Sequence, residues 1–216
     1  MNHSQDFKVC ADHLADIGRW AYRKGWAPGT ITNFSVRLHE QAAPAFCAIT
    51  GSGVDKETLD PDQILAVDRL GVPVNGCALT PSAETALHVM LYRVTGAGAV
   101  LHTHSLAAAI LSRVAGAGGC LTLSGWELLK GFDGIETHDR EVVLPISPNS
   151  QDIPGLATYI EPRLPPMQPC YGFLLAGHGL YAWGKDIATA KRHLEVFEFL
   201  LQCEREVRSY DYPANA

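Results

Sequence analysis

The chain has no apolar run approaching the roughly 20 residues that span a bilayer, so it is not expected in a membrane. It has no block of Lys or Arg, and 17 basic against 23 acidic residues leave a net charge of −6, which argues against a nucleic-acid partner. The start, Met1-Asn2-His3-Ser4-Gln5-Asp6, lacks the basic and apolar regions of an export signal, so the cytoplasm is the expected address. Cys10, Cys47, Cys77, Cys120, Cys170 and Cys203 are scattered with no C-x-x-C, and they read as reduced, mostly buried thiols. No phosphate-loop lysine follows any glycine-containing turn, which excludes a nucleotide triphosphate site of that type. Repeats and low-complexity stretches are also missing. What remains is 216 residues with 47% hydrophobic and 19% charged content, the size and balance of one globular domain over residues 1–216.

Against this plain background, His102-Thr103-His104 stands out at the end of the apolar run Ala99-Val100-Leu101. In an extended strand, side chains at i and i+2 point the same way, so both imidazoles face one side where a buried strand stops. Such a pair suits a divalent metal, and a catalytic zinc takes three protein ligands plus an exchangeable one. Gly177-His178-Gly179, after Phe173-Leu174-Leu175-Ala176, offers the third imidazole. An H-x-H pair alone is a weak signal among nine histidines; the apolar strands before both motifs strengthen it.

The remaining pattern alternates helices and strands. An apolar stripe at Phe7, Cys10, Leu14, Ile17 and Ala21 predicts a first helix with Ser4 as cap. Strands are expected at 33–38, 45–49, 64–70, 99–102, 141–146, 171–176 and 180–183. Helices are expected at 83–94 with Ser82 as cap, at 106–114 after Ser105, at 125–131, at 152–160, and after Asp186. Pro162, Pro165, Pro166 and Pro169 form a rigid connector. This order implies a mixed sheet with helices on its faces.

Three stretches are suited to an anion: Thr32-Asn33-Phe34-Ser35, Thr50-Gly51-Ser52-Gly53 and Pro81-Ser82, where small polar residues and glycine let backbone amides approach a phosphate. Two carboxylates are candidates for proton transfer. Glu84 falls in a helix's first turn, where its ordinary role would be to complement the dipole. Glu127 lies beside Trp126, Leu128 and Leu129, and apolar neighbours raise a carboxyl pKa toward neutrality. His88 and His193, on helices without partners at ligand spacing, read as structural.

Pro81-Ser82-Ala83-Glu84, His88, His102-Thr103-His104 and Gly177-His178-Gly179, in this order, resemble the class II (zinc-dependent) sugar-phosphate aldolase family. Gly25-Trp26, Asn33-Phe34-Ser35-Val36-Arg37, Glu127-Leu128-Leu129-Lys130-Gly131 and His178-Gly179-Leu180-Tyr181-Ala182-Trp183-Gly184 look most like the branch that dehydrates a methylthio-ketopentose 1-phosphate in methionine salvage. The resemblance implies a three-layer α/β/α fold around a largely antiparallel mixed sheet. It also implies a cyclic homotetramer with sites near subunit interfaces and one zinc ion per subunit. It carries over His102, His104 and His178 as metal ligands. Asn33, Ser35, Thr50, Gly51, Ser52 and Ser82 match phosphate-binding segments, Glu84 the aldolases' base, and Glu127 the dehydratases' acid–base group. The family usually has glycine where Thr32 stands here. The same scaffold also serves sugar-phosphate aldolases, 4-epimerases and the non-catalytic adducin head; the last would be marked by loss of the metal histidines, and all three are present.

Overall fold

The structure, a computed structural model, describes residues 3–39, 42–74, 77–164 and 170–210, the side chains of residues 3–6 excepted. Its layers follow from side-chain alternation. In β4 (Ala99–Thr103), Ala99 and Leu101 enter one core while Val100 enters the other. In β8 (Gly179–Gly184), Leu180 and Ala182 face the first core, and Tyr181 and Trp183 the second. Burial on both faces requires a covering layer on each side.

The other strands are β1 (Asn33–Arg37), β2 (Cys47–Thr50), β3 (Ile64–Val67), β5 (Cys120–Leu123), β6 (Val142–Ser147) and β7 (Gly172–Leu175). The sheet order is β3-β2-β1-β4-β8-β7-β6-β5, with every neighbouring pair antiparallel except β6 and β7. Helices α1 (His3–Arg23), α3 (Leu106–Ala115) and α5 (Ile187–Tyr210) pack on the first core; α2 (Thr85–Thr95) and α4 (Ile153–Ile160) pack on the second. This is the expected three-layer α/β/α arrangement. Among the described residues, no helix is long and apolar enough to cross a membrane.

Several boundaries differ from the sequence pattern, each for a local reason. The third strand ends at Val67 rather than Leu70, because an Asp68 carboxylate oxygen accepts from the amides of Leu70 and Val72 and closes a turn. Cys120–Leu123 is an unexpected strand; four residues after a glycine-rich loop carry too little periodicity to show it. The segment 125–131 is helical only as a 3-10 turn over Glu127–Gly131. Ser105 and Asp186 do cap their helices, accepting from the amides of Ala108 and Thr189. The first helix begins at His3, so Ser4 lies inside it rather than at the cap position, and Pro165, Pro166 and Pro169 lie outside the described residues. No disulfide joins any of the six cysteines; only Cys47 is fully buried, and Cys77 and Cys120 are exposed.

The centre of the sheet positions the histidines. β4 lies between β1 and β8, with His102 opposite Asn33 on one side and Tyr181 on the other. The tight β7–β8 turn then brings His178 beside the end of β4.

Candidate metal centre

His102, His104, His178 and Glu84 converge, with one ligand atom from each lying within 4.8 Å of all the others. His102 Nε2 is 2.7 Å from His104 Nε2 and 3.4 Å from His178 Nε2; His104 and His178 Nε2 are 3.0 Å apart. Glu84 adds Oε2 at 3.3 Å from His102 Nε2 and Oε1 at 3.7 Å from His178 Nε2.

Neighbouring groups fix the ring tautomers. The Leu180 carbonyl accepts from His102 Nδ1 at 3.0 Å, and Asn149 Oδ1 accepts from His178 Nδ1 at 3.1 Å. Each ring's proton is thereby on Nδ1, and Nε2 presents a lone pair to the cluster. Burial, then repulsion from His178, holds His102 well below the usual imidazole range; burial, then His102 and His178, pushes His104 down to about 2. His102 and His104 are thereby neutral near pH 7, and the Nε2 atoms of all three histidines face one another. Ligands at about 2.0–2.1 Å from a tetrahedral ion stand roughly 3.3 Å apart, a spacing the three Nε2 separations bracket. Glu84 Oε1 is buried without a hydrogen-bond partner. An orphaned carboxylate oxygen beside three converging ring nitrogens fits a divalent cation.

The chain reaches this geometry locally. Alternation puts His102 and His104 on one side of β4 and Thr103 on the other, where its hydroxyl donates to Glu198 Oε1 on α5 at 2.7 Å. The His104 amide donates to the Trp26 carbonyl. Gly177 has φ +66 in the turn that presents His178, and a Cβ on Gly179 would stand 2.1 Å from the Thr103 carbonyl oxygen. Both glycines around His178 are thus required by backbone conformation and close approach.

Glu84 differs from expectation. α2 begins at Thr85, so Glu84 occupies the N-cap position and makes no capping bond with its side chain. Instead, Asn33 Nδ2 donates to its Oε2 at 2.7 Å, and its carboxylate faces the histidines.

Beside the cluster opens a cavity of about 520 Å³. Glu84, His104 and His178 line one side; Thr32, Gly51, Ser52, Gly53 and Ser82 line another. Thr32 Oγ1 is buried with no hydrogen-bond partner. The amides of Gly51 and Ser52 are already bonded to the carbonyls of Gln63 and Thr80, so the backbone cradle expected there is partly closed. Asn33, Ser35 and Thr50 do not line the cavity. Asn33 holds Glu84 and His88, Ser35 holds His88 and Tyr92, and Thr50 Oγ1 accepts from the Phe34 amide.

Glu127 stands apart. It is exposed, it pairs with Lys130 Nζ at 2.5 Å, and it does not line the cavity. The Lys130 hydrogen bond holds its carboxyl below the usual range, opposite to the elevation that its apolar neighbours in sequence suggest. Leu129 points into the core, but Trp126 and Leu128 leave Glu127 in water.

Sequence reasoning missed three residues here. Tyr181 stacks on His102 with ring centroids 4.0 Å apart; burial, then the Glu84 carboxylate, holds its phenol well above the ordinary range. Asn149 orients His178. Lys56 is completely buried, donates to the Val54 carbonyl at 2.8 Å, and is lowered to about 8 by that burial. The first two meet their histidines only through strand register and loop placement, which leave no local mark in the sequence. His193 is structural as expected: its Nδ1 bonds the Trp183 carbonyl, and its Nε2 accepts from the Asp133 amide.

A family model described as the class II aldolase and adducin N-terminal domain matches residues 12–204. The chain belongs to this family. Among curated class II relatives, it is 50% identical over 184 residues to a methylthioribulose-1-phosphate dehydratase of Xanthomonas campestris pv. campestris, covering 85% of this chain and 82% of that protein. It is 44% identical to the protein of the same name from Sorangium cellulosum, covering 91% and 92%. Among solved class II structures, an L-fuculose-1-phosphate aldolase from Thermus thermophilus superposes with a TM-score of 0.70 at 23% identity, covering 94% of this chain and 98% of that one. At that identity the likeness shows the fold.

Proposed function

We propose that the protein is a hydro-lyase that converts 5-methylthioribulose 1-phosphate to 2,3-diketo-5-methylthiopentyl 1-phosphate and water, in methionine salvage. The observation that carries this reading is the cluster of three converging imidazoles and a buried carboxylate beside a hydroxyl-lined cavity. The 50% identity to dehydratase relatives supports the choice of substrate. His102, His104 and His178 would hold the ion, one per chain, and an all-imidazole donor set suits zinc. When bound, zinc supplies Lewis-acid polarisation of the substrate's C2 carbonyl and C3 hydroxyl oxygens.

The side chains divide the remaining work. The hydroxyls of Thr32, Ser52 and Ser82 hold the phosphate at the far wall of the cavity. Asn33 and Ser35 stand behind Glu84 rather than at that wall, and Thr50 holds the Phe34 amide. Glu127 removes the C3 proton and returns a proton to the C4 hydroxyl, so that the C3–H and C4–O bonds break, a C3–C4 double bond forms, and water leaves. Glu84 Oε1 takes the hydroxyl hydrogen at C3 as the enol becomes the 2,3-diketone, and C4 gains a proton. Each acid–base group of this kind contributes about 10²–10⁴-fold.

Because Glu127 is exposed and lies outside the cavity of its own chain, it is delivered by a neighbouring copy. A homotetramer of single-domain subunits, with sites near subunit interfaces, provides that arrangement. The cytoplasm is the proposed location, in keeping with six cysteines that form no disulfide.

The test is incubation of the metal-loaded protein with methylthioribulose 1-phosphate and, separately, with fuculose or ribulose phosphate. Diketone formation from the first alone supports the reading. Release of a two- or three-carbon fragment without diketone makes the protein an aldolase, and inversion at C4 makes it an epimerase.

A further inference from the structure

Behind Glu84, on the side away from the cavity, lies an unbroken row of buried polar side chains. Tyr92 Oη is 2.6 Å from Ser35 Oγ, and Ser35 Oγ is 2.7 Å from His88 Nδ1. His88 Nε2 is 2.5 Å from Asn33 Oδ1, and Asn33 Nδ2 is 2.7 Å from Glu84 Oε2. Tyr92, Ser35, His88 and Asn33 are each at most 2% exposed. These groups come from one helix and one strand: Tyr92 and His88 are one turn apart on α2, and Ser35 and Asn33 are two apart on β1, so each pair shares a face.

The direction of every bond follows from the carboxylate at the end. Glu84 Oε2 accepts from the Asn33 NH₂, which turns Asn33 Oδ1 toward His88. His88 must then carry its proton on Nε2. Its bare Nδ1 accepts from the Ser35 hydroxyl, whose oxygen in turn accepts from Tyr92. Burial keeps His88 neutral, pushing it down to about 4, so one ring nitrogen donates and the other accepts. Reversing any one bond leaves two donors or two acceptors facing each other without water.

We propose that Tyr92, Ser35 and His88 are positioning residues: acting through Asn33, this one-way chain pins Glu84 Oε2 and leaves Oε1 as the oxygen that works at the metal cluster. Oε1 is the carboxylate oxygen without a partner. The chain also explains why Glu84 ignores the adjacent helix N-terminus. The inference rests on the catalytic reading of Glu84, and it reassigns His88 from packing to control of that carboxylate.

Two measurements test it. The first is the ¹⁵N spectrum of histidine-labelled wild-type protein, which reads the tautomer directly. His88 is expected as the Nε2–H form with a slowly exchanging proton; the Nδ1–H form overturns the chain. The second is kinetic. Ser35→Ala and His88→Leu are expected to lower kcat by about tenfold or more, as small misplacements of reacting groups do, with KM and bound metal within about twofold of wild type. His88→Gln, whose amide both donates and accepts, is expected to recover much of the loss. Tyr92→Phe, at the far end, is the mildest and guards against misfolding of the others. If Glu84→Gln abolishes turnover while these variants keep wild-type kcat, the chain is refuted and Glu84 stands. If Glu84→Gln turns over normally, the role of Glu84 itself falls.

Discussion

A Cβ on Gly179 would stand 2.1 Å from the Thr103 carbonyl oxygen and 3.1 Å from ring carbons of both His102 and His104. That contact is with backbone, so it cannot be relieved by a rotamer change. Gly179→Ala is expected to push β8 away from β4, lose at least about 2 kcal/mol of stability and abolish stoichiometric metal binding. Gly177→Ala is the control. Its φ is +66, but its nearest neighbour, Arg113 Cβ, is 3.9 Å away, so a cost of about 1–2 kcal/mol with metal binding retained is expected. Thermal unfolding and metal analysis of both variants check this.

Glu198 makes stability depend on pH. Burial raises its carboxyl from 4.5 to about 7, while hydrogen bonds from Ser105 and Thr103 pull the other way without overcoming it. Its Oε2 has no partner. The unfolded chain ionises this group at lower pH than the folded one. Stability associated with it is therefore full below about pH 4.5 and is lost as pH rises through 7, by roughly 3 kcal/mol. Glu198→Gln removes that loss. The metal-free variant is expected to gain stability relative to wild type between pH 5 and pH 8, by roughly 5–10 °C in Tm. A pH-independent difference would contradict this.

His88 has the opposite dependence. Its folded pKa, lowered to about 4, means that the unfolded chain takes up a proton first on acidification. The metal-free protein is expected to lose stability between about pH 6.5 and pH 4, and His88→Gln to flatten that limb, as read by chemical denaturation at several pH values.

Glu127→Gln is expected to leave Tm and metal content unchanged, because its ion-pair partners among the described residues, Lys130 and His138, are exposed, while dehydration falls by about 10²–10⁴-fold. Mixing Glu127→Gln chains with Glu84→Gln chains and letting subunits exchange is expected to restore part of the activity, since some sites then hold both wild-type carboxylates. No recovery after demonstrated exchange would place both groups in one chain.

The metal motif was legible because strand alternation is local: Ala99 to His104 carries its own geometry, and Gly177-His178-Gly179 announces a turn. The helix stripes gave the layers for the same reason. Register and distant approach were not legible. Nothing near Tyr181 in sequence says that it stacks on His102, and nothing near Asn33 says that its amide serves Glu84 rather than a phosphate. Glu84 itself was visible, but its expected place inside the first helical turn was one residue off, and that residue decides whether its carboxylate caps the helix or faces the histidines. For Glu127, apolar neighbours in sequence did not mean apolar surroundings, because the 3-10 turn sends Leu129 inward and leaves the carboxylate in solvent.

The most direct test of the site is a metal count. Protein stripped with a chelator, dialysed and titrated with Zn²⁺ is expected to bind one ion per chain, and His104→Ala and His178→Ala each to reduce this to a small fraction while remaining folded. Failure of wild type to take up a stoichiometric ion, or retention of that ion when these imidazoles are removed, would contradict the account.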